Sequence, residues 1–326
     1  MEPFPRDTVR QQLAELASRG MYFGTSSWKY EGWLGLLYDA ERYTTRGKFS
    51  RAKFERTCLA EYAQTFKTVC LDAGFYQFPT AKMLHGYLSQ VPGDFRMSIK
   101  VTEDITVRRF ASLPRYGQRA GQLNERFLDA DFFAANFLGP LEQFKAQIGT
   151  LIFEFSHFHQ DDWQRGLQFV EALDRFFSQL PKGWDYSVEV RNKNLLQPEY
   201  FEVLRRHGVA HTFNSWSRMP PVTEQIQLPN SFTADFVAAR FLLKPGRVYE
   251  QAVKAFSPYT EIKDPYSDGR MALIDLLTTP AKPGRPGRRF LYVNNRLEGC
   301  ALWTIYAAIT ALASQSKPSR VDSSST

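Results

Sequence analysis

The chain has 326 residues, 43% of them hydrophobic and 23% charged, which is enough apolar material for one large core or two medium ones and excludes a disordered chain. Forty-one basic residues against 34 acidic ones leave a net charge of +7. That balance suits an anionic ligand, whether phosphate, carboxylate or nucleic acid, but the basic residues are dispersed and serve solubility equally well. No apolar run approaches the ~20 residues of a membrane-spanning helix, so no membrane partner is expected. Cys58, Cys70 and Cys300 are too scattered for a disulfide framework or a Cys-x-x-Cys site. With no apolar signal stretch after Met1, a cytoplasmic location is expected.

In chain order, residues 8 to 19 read as a short polar helix leading into a first strand, Met21 to Ser27. Residues 50 to 66 read as a helix, Thr68 to Ala73 as the second strand and Phe95 to Val101 as the third. A helix-like segment over 125 to 146 precedes the fourth strand, Gly149 to Phe155. Residues 163 to 180 are amphipathic, with Leu167, Val170, Leu173, Phe176 and Phe177 on one stripe. The fifth strand is Tyr186 to Asn192; a helix over 198 to 207 leads to the sixth, Val209 to Asn214. Thr233 to Phe241 and Arg289 to Asn295 complete the set, and a helix over 299 to 313 closes it. Two loops, 217 to 232 and 257 to 287, are unusually decorated, the second with a basic, proline- and glycine-rich excursion.

Eight strands separated mostly by helices favour an α/β fold, a TIM-barrel-like (β/α)8 barrel with extended loops on the C-terminal face. The expected organisation is an N-terminal helical extension over 1 to 20, a single barrel domain over 21 to 313 and a flexible tail over 314 to 326. A doubly wound sheet competes, but no Gly-x-Gly-x-x-Gly or Walker sequence occurs, and Gly32 and Gly35 read as turn glycines.

In a barrel the downstream strand ends share one rim, where ligand sites lie. Glu189 and Arg191 sit two residues apart on the fifth strand and so point the same way. The other strand ends contribute Trp28, Tyr30, Asp72, Tyr76, Lys100, Glu154, Asn214, Trp216, Arg240, Asn294 and Asn295. Arginine offers a planar fork for carboxylate or phosphate, and the aromatic rings offer stacking faces for a sugar or a base. If the site is catalytic, Glu189 is the expected acid or base, Arg191, Arg240 and Lys100 stabilise charge, and Glu154 is a further candidate. Glu154 and Glu189 also fit a glycosidase pair, except that a neighbouring cation lowers a carboxyl pKa and weakens a general acid. His157-Phe158-His159 with Asp161 and Asp162 could ligate zinc, but a short His-x-His is a common accident. No metal and no cofactor are expected. Cys70 reads as buried and structural.

The chain resembles the DUF72, or YecE-like, family. The matching pieces are Gly24-Thr25-Ser26-Ser27-Trp28-Lys29-Tyr30-Glu31-Gly32-Trp33, Gly74-Phe75-Tyr76-Gln77-Phe78-Pro79 and Asp94 to Lys100, followed by Val188-Glu189-Val190-Arg191 and Tyr292-Val293-Asn294-Asn295 with Gly299 and Ala301. The resemblance spans roughly residues 21 to 312. It implies a TIM-barrel-like fold and a characteristic site at Trp28, Tyr76, Lys100, Glu189, Arg191, Asn294 and Asn295, but no established reaction. Cys70 and Asp72 stand where the family commonly has glutamate and asparagine. Glu154 replaces a glutamine, and Ser156-His157 replaces a pair of prolines.

The leading expectation is therefore a pocket for a small anionic, sugar-like ligand, with the reaction unspecified. A nucleic-acid-binding or nuclease-like barrel is the alternative, motivated by the positive charge, Trp216 and the basic 282 to 289 stretch. A non-catalytic interaction scaffold is the third, and would be marked by Glu189 and Arg191 fully paired in a closed site. Sequence leaves the oligomeric state open.

Overall fold

The structure, a computed structural model, describes residues 3–158, 162–163, 166–281 and 287–315. Eight parallel strands close into a barrel: β1 Met21–Thr25, β2 Thr68–Leu71, β3 Arg96–Lys100, β4 Ile148–Phe155, β5 Asp185–Val190, β6 Ala210–Ser215, β7 Phe236–Phe241 and β8 Arg288–Val293. Each strand pairs with its neighbours in sequence, and β8 returns to β1 through Met21 opposite Arg289. The expected (β/α)8 barrel is thus observed, with strand bounds within a few residues of the sequence pattern. β4 is buried at all eight positions, as a strand between a barrel interior and a helix layer must be.

Alternation divides each strand between two cores. One set of side chains packs under the helices with Phe23, Val69, Ile99, Phe153, Val188 and Phe213. The other fills the barrel with Cys70, Ile152, Ala210, Phe236, Ala238, Phe290 and Tyr292. Polar groups inside pair in part with one another: Tyr292 donates to Ser98 Oγ at 2.6 Å, and Thr150 donates to Ser187 Oγ at 3.0 Å. Gly24 belongs where it is because a Cβ there would stand 2.3 Å from the Thr68 carbonyl of the adjacent strand.

The longer helices are α1 Arg6–Ser18, α2 Arg51–Thr65, α3 Ala81–Leu88, α4 Gly166–Gln179, α5 Pro198–His207, α6 Val222–Gln227, α7 Tyr249–Phe256, α8 Ser267–Thr278 and α9 Ala301–Gln315. Sequence signals for their ends are explicit: Ser50 caps α2, Thr80 caps α3, and α5 begins on a proline and ends on left-handed Gly208. Val9, Leu13 and Leu16 of α1 belong to the same core as the barrel strands.

Three expectations need correction. The segment 125 to 146 is not one helix: Asp129 caps a short turn at Phe132, a π-turn follows over Ala134–Leu138, and Gly139-Pro140 leads to a 3-10 ending. Pro140 has no N–H for the helical ladder, so a regular helix cannot run through it. On α4, Leu167 is half exposed and Phe169 takes the buried place. The two decorated loops contain α6, α7's flank and the whole of α8, whose apolar residues Ala272, Leu273, Leu276 and Leu277 are buried. The basic excursion at 282 to 286 and the tail from 316 lie outside the described residues.

Candidate functional site

Strand alternation delivers charged side chains to the C-terminal mouth. Glu154 on β4 lies in register with Glu189 on β5, and Asn214 on β6 with Arg240 on β7. Lys100 ends β3, and Arg191 follows β5 on the face of Glu189. Asp72 opens the turn after β2. That turn packs tightly on β3, since a Cβ on Gly74 would come within 2.7 Å of the Lys100 carbonyl. The close approach sets the Phe75 ring 3.6 Å from the Lys100 ammonium.

These six side chains form one network. Glu154 Oε2 accepts from Lys100 Nζ at 2.5 Å, Arg191 Nη2 at 2.8 Å and Arg240 Nη1 at 3.3 Å. Glu189 accepts from Arg191 Nε at 3.2 Å and from Arg240 Nη1 at 2.7 Å. Arg240 Nη2 also pairs with Asp72. Three cations therefore face three carboxylates. Glu189, Glu154 and Arg240 are buried, whereas the Asp72 side chain is 36% exposed and that of Arg191 14%. A solute entering the mouth meets Asp72 and Arg191 first; Glu189 lies beneath them.

Burial alone would raise the Glu154 pKa, but Arg191, Lys100 and Arg240 overturn that and hold it at about 2. Glu154 is thus a fixed anion, unsuited to donating a proton at neutral pH. Burial would lower the Arg240 pKa, yet Asp72 and Glu189 drive it well above the usual arginine value. Burial raises the Cys70 thiol far above its ordinary value, which makes it an inert core group. The glycosidase geometry does not form either: one Arg240 nitrogen bridges Glu154 and Glu189, filling the space a glycosidic bond would need.

Around the network the aromatic residues divide. Trp216 stacks on Arg191, with the guanidinium carbon 3.8 Å from the ring centre. Tyr30 packs on Trp33 and edge-on to Tyr259, and burial pushes its hydroxyl up to about 12. Trp28 is buried and its carbonyl accepts from Tyr38 at 2.5 Å, so it serves the core; Tyr76 is exposed and leans on Phe75. The three amides bind backbone. Asn214 donates to the Val190 carbonyl at 3.1 Å, Asn294 accepts from the Arg296 N–H at 3.1 Å, and Asn295 accepts from the Ala301 N–H at 2.8 Å at the start of α9.

A cleft of about 400 Å³ opens beside the network, lined by Phe75, Arg108, Arg109, Arg115, Tyr116 and Ser156 among others. Ser156 Oγ lies 3.4 Å from Glu154 Oε1, so cleft and network share a wall. Strand-end reading missed these arginines because they lie on the long connection after β3; their density between 108 and 119 was the available signal. It also missed Arg296, one residue beyond Asn295. His157 lines the same cleft, His159 and Asp161 lie outside the described residues, and no group of three metal-ligating side chains occurs among the described ones.

The fold and mouth define a (β/α)8 barrel with a buried ion network at its C-terminal end. The family model described as "Protein of unknown function DUF72" matches residues 22–324, and the chain belongs to that family. A DUF72 family protein from Enterococcus faecalis V583 is similar in structure, with a TM-score of 0.55, 12% identity, and coverage of 90% of this chain and 96% of that one. Another, from Thermotoga maritima MSB8, has a TM-score of 0.54 and 17% identity, covering 90% of this chain and 98% of that one. At those identities the likeness is one of fold. No curated protein matches. No helix among the described residues is long and apolar enough to cross a membrane.

Proposed function

We propose that the barrel mouth binds a small anionic ligand of sugar-like, hydroxyl-rich character. The observation that carries this reading is the ion network itself, built from the ends of five strands. Burying charges costs several kcal/mol per ion, and well-packed apolar side chains of equal volume are often as stable or more so. Stability therefore does not account for the network. A fixed set of dipoles and charges at the end where barrels place their ligands does. The adjoining cleft is large enough for a monosaccharide-sized compound, Phe75 and Tyr116 in its lining supply ring faces for its apolar side, and Trp216 backs Arg191. In this reading Asp72 and Arg191 contact the ligand, while Glu154, Glu189, Arg240 and Lys100 hold them in place.

Mass spectrometry of compounds released by denaturing the purified protein tests it. An acidic, hydroxyl-rich compound should accompany the wild type and be depleted from Asp72→Asn and Trp216→Ala proteins that melt normally. Equal yields from all three would remove the mouth as the binding site.

One observation favours the interaction-scaffold reading: Glu189 and Arg191 are paired with each other and with their neighbours, and every charge in the network has a partner. On that reading Glu189→Gln lowers stability and changes nothing else. The nucleic-acid alternative has less support from position. Arg288 pairs with Asp185 and Arg289 donates to the carbonyls of Leu276, Thr279 and Gly287, both at the N-terminal end of β8, away from the mouth.

A further inference from the structure

The three cations of the ion network are already neutralised by three carboxylates, which leaves an anionic ligand without a free positive partner there. Arg296 supplies one. It follows β8 directly after Asn294 and Asn295, on the same mouth. Its backbone is held at both ends, by the Asn294 amide oxygen at 3.1 Å and by Arg247, which donates to its carbonyl at 3.3 Å. Its guanidinium makes no hydrogen bond and pairs with no carboxylate among the described residues, and its Nε is a buried donor without a partner. A buried donor left without a partner is costly, and a ligand acceptor nearby would relieve that cost.

The surroundings orient that group. The Tyr249 ring lies 4.5 Å from the guanidinium carbon, flat support for a planar cation. Tyr249 in turn neighbours Trp216, whose ring carries Arg191. Against the burial that raises the Tyr30 pKa, the strongest opposing influence is the positive charge of Arg296, and Asp72 acts on the same hydroxyl.

We propose that Arg296 is the anion-binding group of the mouth, taking the phosphate or carboxylate of the ligand on its unused fork. This rests on the proposed binding function and assigns the ligand's charge to a residue outside the ion network. Arginine presents five N–H donors in a plane that matches either oxyanion bidentately.

Isothermal titration with inorganic phosphate, glucose 6-phosphate and gluconate, with neutral glucose as control, tests the assignment and separates phosphate from carboxylate. At least one of the three anions should bind the wild-type protein more tightly than glucose does. Arg296→Gln should weaken that anion roughly tenfold to a hundredfold, as loss of a charged hydrogen-bonding partner does, and leave glucose unchanged. Arg296→Lys keeps the charge without the fork and should fall between the two, which holds the test open if Arg296→Gln melts early. Equal affinity of wild type and both variants for the anion overturns the role of Arg296 while leaving the mouth as the binding site. No response of the wild type to any of the three anions overturns both.

Discussion

The two ends of this barrel are closed by different physics. At the N-terminal floor, Tyr22 stacks on Phe290 at 5.4 Å and Phe236 packs edge-on against the same ring, an apolar plug with the ion pairs Arg288 to Asp185 and Lys67 to Asp94 at its margin. At the C-terminal mouth, the interior is filled by six charged side chains that neutralise one another. The plug is the economical way to fill a barrel, because apolar burial is favourable without exact partners. The mouth does the same job at a higher desolvation cost. An end filled with charge where rings would serve is what the proposed binding function calls for.

Substitutions at the two ends sharpen that contrast. Arg240→Ala at the mouth and Phe290→Ala at the floor should each cost about 3–5 kcal/mol in urea unfolding, the first by stranding buried carboxylates and the second by opening a cavity. Only the mouth variant should abolish ligand capture by protein kept folded below its melting temperature. If Phe290→Ala abolishes capture as well, the ends are not functionally distinct.

A smaller effect separates them by pH. The folded pKa of Glu154, about 2, lies below its ordinary value of 4.5, so its ionised form stabilises the fold. That contribution is complete above pH 4.5 and is lost as pH falls toward 2. The urea midpoint should therefore fall across this window in the wild type, and less so in Glu154→Gln. A matching decline in the variant would assign the acid sensitivity elsewhere.

The smallest effect belongs to the floor's exposed margin. Arg288→Ala removes an ion pair whose arginine is half exposed, and should change stability by only about 0–1 kcal/mol with ligand capture intact. A large loss of capture there would transfer function to the wrong end of the barrel.

Much of this was legible along the chain. The strands could be placed because a residue's face follows from period-2 alternation, and the same rule put Glu189 and Arg191 side by side. The irregular helix over 130 to 147 and the helices α6 and α8 were less legible. Proline, glycine and polar residues hide a helix whose stability comes from packing rather than from local preference. The members of the ion network were legible as well, down to Asp72 and Arg240, but the contacts of the other strand-end residues were not. Trp28 and Asn295 sit at strand ends like Trp216 and Arg191, yet the first pair is occupied by core packing and a helix start.

What the sequence determined alone was the barrel, its direction and which strand-end charges of the ion network reach its mouth, because these follow from local periodicity repeated eight times. What only the tertiary structure decided was which charge meets which. Glu154 receives Lys100, Arg191 and Arg240 from three other strand ends, and Arg296 meets no carboxylate among the described residues. Such pairings depend on distances of a few ångströms between residues far apart in the chain. No local pattern encodes them, since they arise when the closing barrel brings strand ends together.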